Sequence, residues 1–162
     1  MPKAHADAIL KDIWQDRGLP VDSVWIAKRM GIDVVDAPLS DIDANIAGAL
    51  FKKKEGDPVI ILNKGDSDQR KRFTCAHEIG HYIKRTDEGN LEYEFVDLRS
   101  ALSHEGVDEE EIFANQFAAN LLMPEGTVRG LHKLKKTVIE MSIFFNVSAD
   151  AIYFRLKNLR LK

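Results

Sequence analysis

Two histidines, His77 and His81, lie four residues apart in this sequence, a spacing that restricts the local fold strongly. An α-helix turns by about 100° per residue, so it would place them about 40° apart and one turn from each other. Both imidazoles can then reach one metal ion and leave positions open for a water molecule. Glu78 directly follows the first histidine, where its carboxylate can take a proton from a water that attacks a carbonyl group. The spacing therefore predicts a helix that carries a zinc-hydrolase centre.

The residues around this motif predict an α+β fold that is mostly helical. A long helix is expected from about residue 68 to 84, with the motif in its middle. Residues 46–51 and 58–62 have the composition of two short strands, and the polar segment between them contains Gly56, as a hairpin connection requires. The prediction is a small β-sheet, with a hairpin near 46–62, that precedes the motif helix.

The remaining elements follow from apolar periodicity and from turn residues. Helices are expected at 4–17, from 22 or 23 to 30, at 109–122, at 126–145 with a break, and at 148–159. A short strand is expected at 32–35, and Ser148 is expected to cap the last helix. Residues 86–108 are acidic and poorly periodic, which predicts a loop with at most a short helical turn.

A catalytic zinc site usually has three protein ligands, so one more is needed. The downstream candidates with suitable side chains are His104, Asp108, Glu109, Glu110 and Glu111. In the helix at 109–122, Glu110 projects within the apolar stripe and Glu111 projects at its edge, below the small residues Ala114 and Ala118. Small residues allow close approach of two helices, so the geometry favours Glu111 with Glu110 as its rival. A loop histidine such as His104 is more often simply solvated.

Length and composition fit one domain that spans residues 1–162, with 126–162 as a helical C-terminal subregion. A single cysteine, Cys75, excludes an internal disulfide framework. Residues 1–7 lack the apolar stretch of a secretory signal, and no run is long enough to span a bilayer. These features predict a cytoplasmic protein.

The formal net charge of −3 gives no overall attraction to nucleic acid. Charge is nevertheless uneven: residues 87–111 contain ten acidic side chains and one arginine, whereas 129–162 contain eight Lys or Arg and two acids. Residues 137–160 have the spacing of a helix-turn-helix with Arg155, Lys157 and Arg160 on its second helix. Apolar residues dominate there, including Ile143, Phe144 and Tyr153. The segment is therefore predicted to complete the core, and direct DNA binding is the minor alternative.

Two longer stretches resemble the ImmA/IrrE-type metallopeptidases. The first is residues 70–81, RKRFTCAHEIGH, which is similar to the active helix of that family. The second is residues 111–124, EIFANQFAANLLMP, which is similar to the family's Glu-x-x-Ala-Asn-x-Phe-Ala and Leu-Leu-Met-Pro element. The resemblance implies a zincin-like fold in which His77, His81 and Glu111 bind the metal and Glu78 is the general base. It favours Glu111 over Glu110. Cys75 departs from the family's usual aliphatic residue and is interpreted as a small buried side chain that faces away from the ion.

The function implied by the resemblance is a zinc-dependent endopeptidase that cleaves a helix-turn-helix repressor encoded nearby, in a phage, mobile element or stress-response locus. One Zn²⁺ is the expected cofactor, and the same ligands also suit Mn²⁺ or Fe²⁺. The alternative is the toxin of a toxin–antitoxin pair whose antitoxin is a helix-turn-helix protein. A third is a DNA-binding regulator with a structural metal site. For the peptidase, residues 46–51 or 58–62 are candidate edge strands beside the cleft, where an extended substrate would pair.

Overall fold

The computed structural model of the protein describes residues 1–98 and 108–162. Within these ranges the helices are Pro2–Ile9 (α1), Ser23–Arg29 (α2), Asp68–Asp87 (α3), Glu109–Leu122 (α4), Glu125–Lys133 (α5), Val138–Phe145 (α6) and Ala149–Asn158 (α7). A π-helical segment, Leu10–Trp14, continues α1, and a short 3-10 turn lies at Leu39–Asp41. In this part of the chain, no helix is both long and apolar enough to cross a membrane.

Four strands form one mixed sheet. They are Asp33–Ala37 (β1), Ile46–Lys52 (β2), Val59–Asn63 (β3) and Tyr93–Leu98 (β4), in the spatial order β1-β3-β2-β4. β1 and β3 are parallel, whereas β2 pairs antiparallel with β3 and with β4. The predicted α+β class, the hairpin before the motif helix and the positions of the predicted helices are confirmed.

Two predictions about strands are wrong. The segments 46–51 and 58–62 are not at an edge, because β2 and β3 are the inner strands of the described sheet and β1 and β4 flank them. The segment 86–108 is not wholly a loop, since α3 extends to Asp87 and β4 follows at Tyr93. Pairing with β2 defines β4, and local periodicity carries no information about that distant partner.

Side-chain caps fix where the two central helices begin. The Ser67 hydroxyl accepts a hydrogen bond from the backbone N–H of Arg70, which caps α3. The Asp108 carboxylate accepts from the backbone N–H of Glu111 at 2.8 Å, which caps α4. The second cap places Glu111 in the first turn of α4. This N-terminal end of α4 lies beside the middle of α3.

The α3 and α4 helices approach each other closely at Gly80. A Cβ atom added to Gly80 would lie 2.9 Å from Cα of Ala114 and 3.3 Å from its Cβ. Contacts that short essentially exclude a side chain at position 80, so glycine permits the backbones to meet there. Glu111 lies almost one helical turn before Ala114, and the close crossing therefore carries it towards His77 and His81.

The C-terminal helices pack on the core through Met141, Phe145 and Ile152, all at most 1% exposed. Arg155 is buried as well: its Nε donates to the Met123 carbonyl at 3.1 Å and its Nη2 to Asn120 Oδ1 at 2.8 Å. Because of these bonds Arg155 faces the end of α4 and not solvent, which favours core completion over DNA recognition.

Three apolar residues of the same segment are not packed as predicted. Ile143 is 74% exposed, Phe144 is 44% exposed and Tyr153 is 58% exposed. All three lie on parts of α6 and α7 that the core leaves exposed, and the Phe144 ring packs edge-on against Phe145, with ring centroids 5.1 Å apart. Their prediction as core residues is wrong because apolar character alone does not determine which helix face a neighbour covers.

Candidate metal centre

The structure brings His77, His81 and Glu111 together at the α3–α4 interface. Ligand-type atoms of the three residues all lie within 4.8 Å of one another. The Nε2 atoms of the two histidines are 3.0 Å apart. Glu111 Oε1 lies 3.1 Å from His81 Nε2, and Glu111 Oε2 lies 3.3 Å from His77 Nε2. Both imidazoles thus direct the same ring nitrogen towards one carboxylate.

These separations fit a tetrahedral ion. Zinc binds His nitrogen and carboxylate oxygen at about 2.0–2.2 Å, so neighbouring donors on a tetrahedron are about 3.3–3.6 Å apart. The distance of 3.0 Å between the two Nε2 atoms, and those of 3.1 Å to Glu111 Oε1 and 3.3 Å to Glu111 Oε2, are close to that edge length. Three donors of this kind would leave a fourth position for a water molecule or substrate. The residues therefore fit the group that the motif implies.

The outer ring nitrogens have acceptors that set the tautomers. Asn115 Oδ1 lies 2.9 Å from His77 Nδ1, and Glu110 Oε1 lies 3.2 Å from His81 Nδ1. When Nδ1 carries the proton and donates it, Nε2 of a neutral imidazole is left with its lone pair. Two lone pairs cannot form a hydrogen bond with each other, so the 3.0 Å contact between the Nε2 atoms is one that a cation would stabilise.

The side chains of the centre are buried, so the negative charge of its carboxylates requires compensation inside the protein. His77, Glu78 and His81 are fully buried, and Glu111 is only 9% exposed. Removing an ionised carboxylate from water costs several kcal/mol unless nearby charge compensates it. Glu78 and Glu111 bring two such groups to a region with two imidazoles, and a divalent cation is the compensation that this donor set suits.

Glu78 lies against the backbone of β2. A Cβ atom added to Gly48 would stand 3.3 Å from Glu78 Oε1, and only 2.5 Å from Cγ2 of Thr74. Any larger residue at position 48 would push on α3 beside the motif. Glycine in the middle of a strand often marks such a close approach, and here it allows the sheet to pack directly on the carboxylate.

The other candidate ligands have different positions. Glu109 is exposed and Asp108 is occupied as the cap of α4. Glu110 is outside the group of converging donors and contacts the outer nitrogen of His81 instead. His104 lies outside the described residues. The assignment of His77, His81 and Glu111 as ligands, and of Glu78 as base, stays a prediction that this arrangement supports.

Cys75 is fully buried in the hydrophobic core, as its interpretation as a small apolar side chain requires. Burial raises the pKa of its thiol to about 12, because the thiolate would lose its solvation. A thiol with such a pKa is protonated at neutral pH and is a poor nucleophile.

Sequence reasoning missed Asn115 and Arg85. Asn115 follows Glu111 by four residues, and Arg85 follows His81 by four, so each lies one turn from a predicted ligand on the same helix. Arg85 donates to both oxygens of Glu110, from Nε at 2.9 Å and from Nη2 at 2.6 Å. The four-residue spacing was a signal that could have identified both.

Comparison with known proteins places most of the chain in one family. Residues 27–157 match the family model described as the IrrE N-terminal-like domain, a peptidase family. The match includes β1 to β4, both central helices and the four residues of the predicted site.

Two relatives extend this comparison. The chain is 26% identical over 105 residues to "Uncharacterized immunity region protein 2" of Bacillus phage phi105, which covers 65% of this chain and 63% of that protein. It is 38% identical over 71 residues to "Radiation response metalloprotease IrrE" of Deinococcus radiodurans, which covers 43% of this chain and 20% of that protein. The aligned parts thus span less than two thirds of the length of each relative.

Proposed function

This chain belongs to the family described as the IrrE N-terminal-like domain, and we propose that it is a zinc-dependent endopeptidase. The observation that carries the proposal is the convergence of His77 Nε2, His81 Nε2 and the Glu111 carboxylate, with Glu78 directly after the first histidine. These three donors would hold one ion, with zinc as the proposed metal.

The bound ion would supply Lewis-acid chemistry, which lowers the pKa of a water molecule and polarises the peptide carbonyl. Glu78 would accept the proton of the attacking water at a carboxylate oxygen and return it to the leaving amine. Asn115 and Glu110 would hold the outer nitrogens of the two imidazoles, so that both Nε2 atoms stay directed inward. The buried position of Glu78 would keep bulk water away from the proton it carries.

The proposed substrate is a helix-turn-helix transcriptional repressor encoded close to this chain, whose cleavage would relieve repression. The phage phi105 relative is named as an immunity region protein, and that name supports a repressor-related context. The Deinococcus relative is named as a radiation response metalloprotease, which supports peptide-bond hydrolysis in a stress response. Such a partner is a protein, and the proposal needs no contact with DNA.

The test combines metal analysis with a cleavage assay on the product of the adjacent gene. Wild-type protein with zinc should produce a truncated partner, detected by mass spectrometry. Glu78→Gln should keep the ion and lose about two to four orders of magnitude in cleavage rate, because a general base contributes that much. Cleavage by this variant at the wild-type rate would contradict the role of Glu78.

The same experiment separates the alternatives. A stable complex with an uncut partner would favour a toxin and its antitoxin. Retarded migration of DNA by this chain alone would favour a DNA-binding regulator. A purified, folded chain that retains no divalent ion would contradict the peptidase proposal itself.

A further inference from the structure

The two histidines of the centre are held by partners of different charge. His77 Nδ1 contacts a neutral amide oxygen, that of Asn115, at 2.9 Å. His81 Nδ1 contacts a carboxylate oxygen, that of Glu110, at 3.2 Å. A carboxylate in its ionised form only accepts hydrogen bonds, so it favours the tautomer of His81 that is protonated at Nδ1.

Glu110 is itself fixed by Arg85 in a two-point ion pair. Arg85 Nε donates to Glu110 Oε1 at 2.9 Å and Arg85 Nη2 donates to Oε2 at 2.6 Å. The side chains are 29% and 18% exposed, so the pair is partly shielded from water. Bidentate pairing of guanidinium and carboxylate restricts both position and orientation, which a single contact would not do.

Arg85 also distinguishes Glu110 from Glu111. Three consecutive acids, residues 109–111, begin α4, and only Glu111 joins the group of converging donors. Both oxygens of Glu110 are engaged by Arg85, which lies one turn after His81 on α3. The ion pair therefore keeps the neighbouring carboxylate at the outer nitrogen of His81 and away from the inner one.

We propose that Arg85 and Glu110 are positioning residues of the metal centre: Arg85 fixes Glu110, and Glu110 holds His81 as the Nδ1–H tautomer that presents Nε2 to the ion. This inference rests on the proposed function, since it concerns the same ion. Neither residue touches the ion, yet the affinity for it depends on both. Partners of this kind typically change metal affinity by about 10- to 100-fold when they are removed.

The first measurement is zinc affinity by competition with a chromogenic chelator at neutral pH. Glu110→Ala should weaken zinc binding by about 10- to 100-fold, and Glu110→Gln by less, because glutamine keeps an acceptor oxygen without the charge. Arg85→Met should weaken it through loss of the ion pair. Glu109→Gln is the matched control, since Glu109 is exposed on the same helical turn, and its affinity should match that of the wild type.

The second measurement needs no metal. In the ion-free wild-type protein, ¹⁵N NMR of the histidine rings should show His81 protonated at Nδ1, and Glu110→Ala should convert it to a mixture of tautomers. His77 should stay unchanged in that variant because Asn115 holds it. If Glu110→Ala is poorly folded by circular dichroism, Glu110→Gln and Arg85→Met provide the same comparison.

A double-mutant cycle tests whether Arg85 acts through Glu110. In the Glu110→Ala background, adding Arg85→Met should change zinc affinity by less than about 2-fold, although each change alone has a larger effect. The inference is overturned if Glu110→Ala binds zinc as tightly as the wild type, or if wild-type His81 is protonated at Nε2. A wild type that binds no zinc but shows the Nδ1–H tautomer would instead contradict the proposed function.

Discussion

The α3–α4 interface and the α6–α7 pair are both made from two packed helices, yet they bury different chemistry. At α3–α4 the contact surfaces include His77 and His81, both fully buried. At α6–α7 the buried residues are apolar apart from Arg155, which bonds to the end of α4, while Ile143 stays 74% exposed. Buried polar groups require specific partners, whereas a single exposed apolar side chain is tolerated.

Different interactions hold the two regions together. The α3–α4 interface depends on a close approach of backbones at Gly80 and on ion pairs and caps around the acids of α4. The α6–α7 pair depends mainly on the size of side chains such as Phe145. Substitutions that test backbone approach, charge and side-chain volume should therefore affect the two regions unequally.

The largest effect is expected from volume in the C-terminal pair. Phe145→Ala should lower the free energy of unfolding by about 3–5 kcal/mol, because it removes a fully buried ring and leaves a cavity. Ile143→Ala, two residues away and 74% exposed, should change it by about 0.5 kcal/mol or less. Urea denaturation measures both, and equal effects would contradict the described packing of α6.

Metal removal should act on the other region. With free zinc at about 100 times the dissociation constant, the ion should stabilise the folded chain by about 2.7 kcal/mol, and chelation should remove that gain. Glu111→Gln should abolish most of this dependence, whereas Ile143→Ala should retain it. The measurement is thermal unfolding with and without a chelator. If the stability of the wild type does not depend on zinc, no ion binds at the α3–α4 interface.

Backbone approach is tested by Gly80→Ala. The new methyl group would lie 2.9 Å from Cα of Ala114, so the two helices must separate at a cost of about 1–3 kcal/mol. The control is Gly130→Ala in α5, where an added Cβ meets nothing within 4 Å and helix propensity should yield about 0.5–1 kcal/mol of stabilisation. In urea denaturation, Gly80→Ala should lower the free energy of unfolding and Gly130→Ala should raise it. A Gly80→Ala variant as stable as the wild type would contradict the close crossing.

The smallest effect concerns the start of α6 and depends on pH. Hydrogen bonds from the Thr137 backbone, Lys136 and the Thr137 side chain lower the pKa of Glu140 from 4.5 to about 2. A lowered pKa in the folded state contributes stability above about pH 4.5, and this contribution is lost as the pH falls through about 2. The stability excess of wild type over Glu140→Gln should shrink across that window. An excess that is constant with pH would contradict the capping role of the ionised carboxylate.

Much of the α3–α4 region could be predicted from the sequence because its signals are local. Two histidines at a spacing of four residues specify one helix face, and Pro124 directly follows the Leu-Leu-Met end of the helix predicted at 109–122. Periodicity alone left Glu110 and Glu111 open, since both project near the buried stripe. Glu111 reaches the histidines where α4 crosses α3 at Gly80, and Glu110 bonds to Arg85 of α3, so the spacing within α4 alone does not distinguish the two acids.

The errors arise where a distant neighbour determines the outcome. Residues 93–98 form the strand β4 because their backbone pairs with that of β2, and the sequence of the segment does not specify this partner. Ile143 belongs to the strongly apolar helix α6 and Tyr153 to the mixed helix α7, and the core covers other faces of both helices. Arg155 has the character of a surface residue, yet it is buried because the Met123 carbonyl and Asn120 provide its partners.

The crossing of Gly80 and Ala114 has a consequence for protein engineering. The distance between the backbones at that point sets how far Glu111 on α4 lies from His77 and His81 on α3. A change in this distance would alter the preference for ions of different size without replacing any ligand. Calcium prefers oxygen ligands at longer distances, of about 2.3–2.6 Å. Two histidine nitrogens and one carboxylate held close together therefore disfavour calcium binding. Position 80 thus works as a spacer, and glycine there keeps the donors of the two helices at the short separations that a small cation requires.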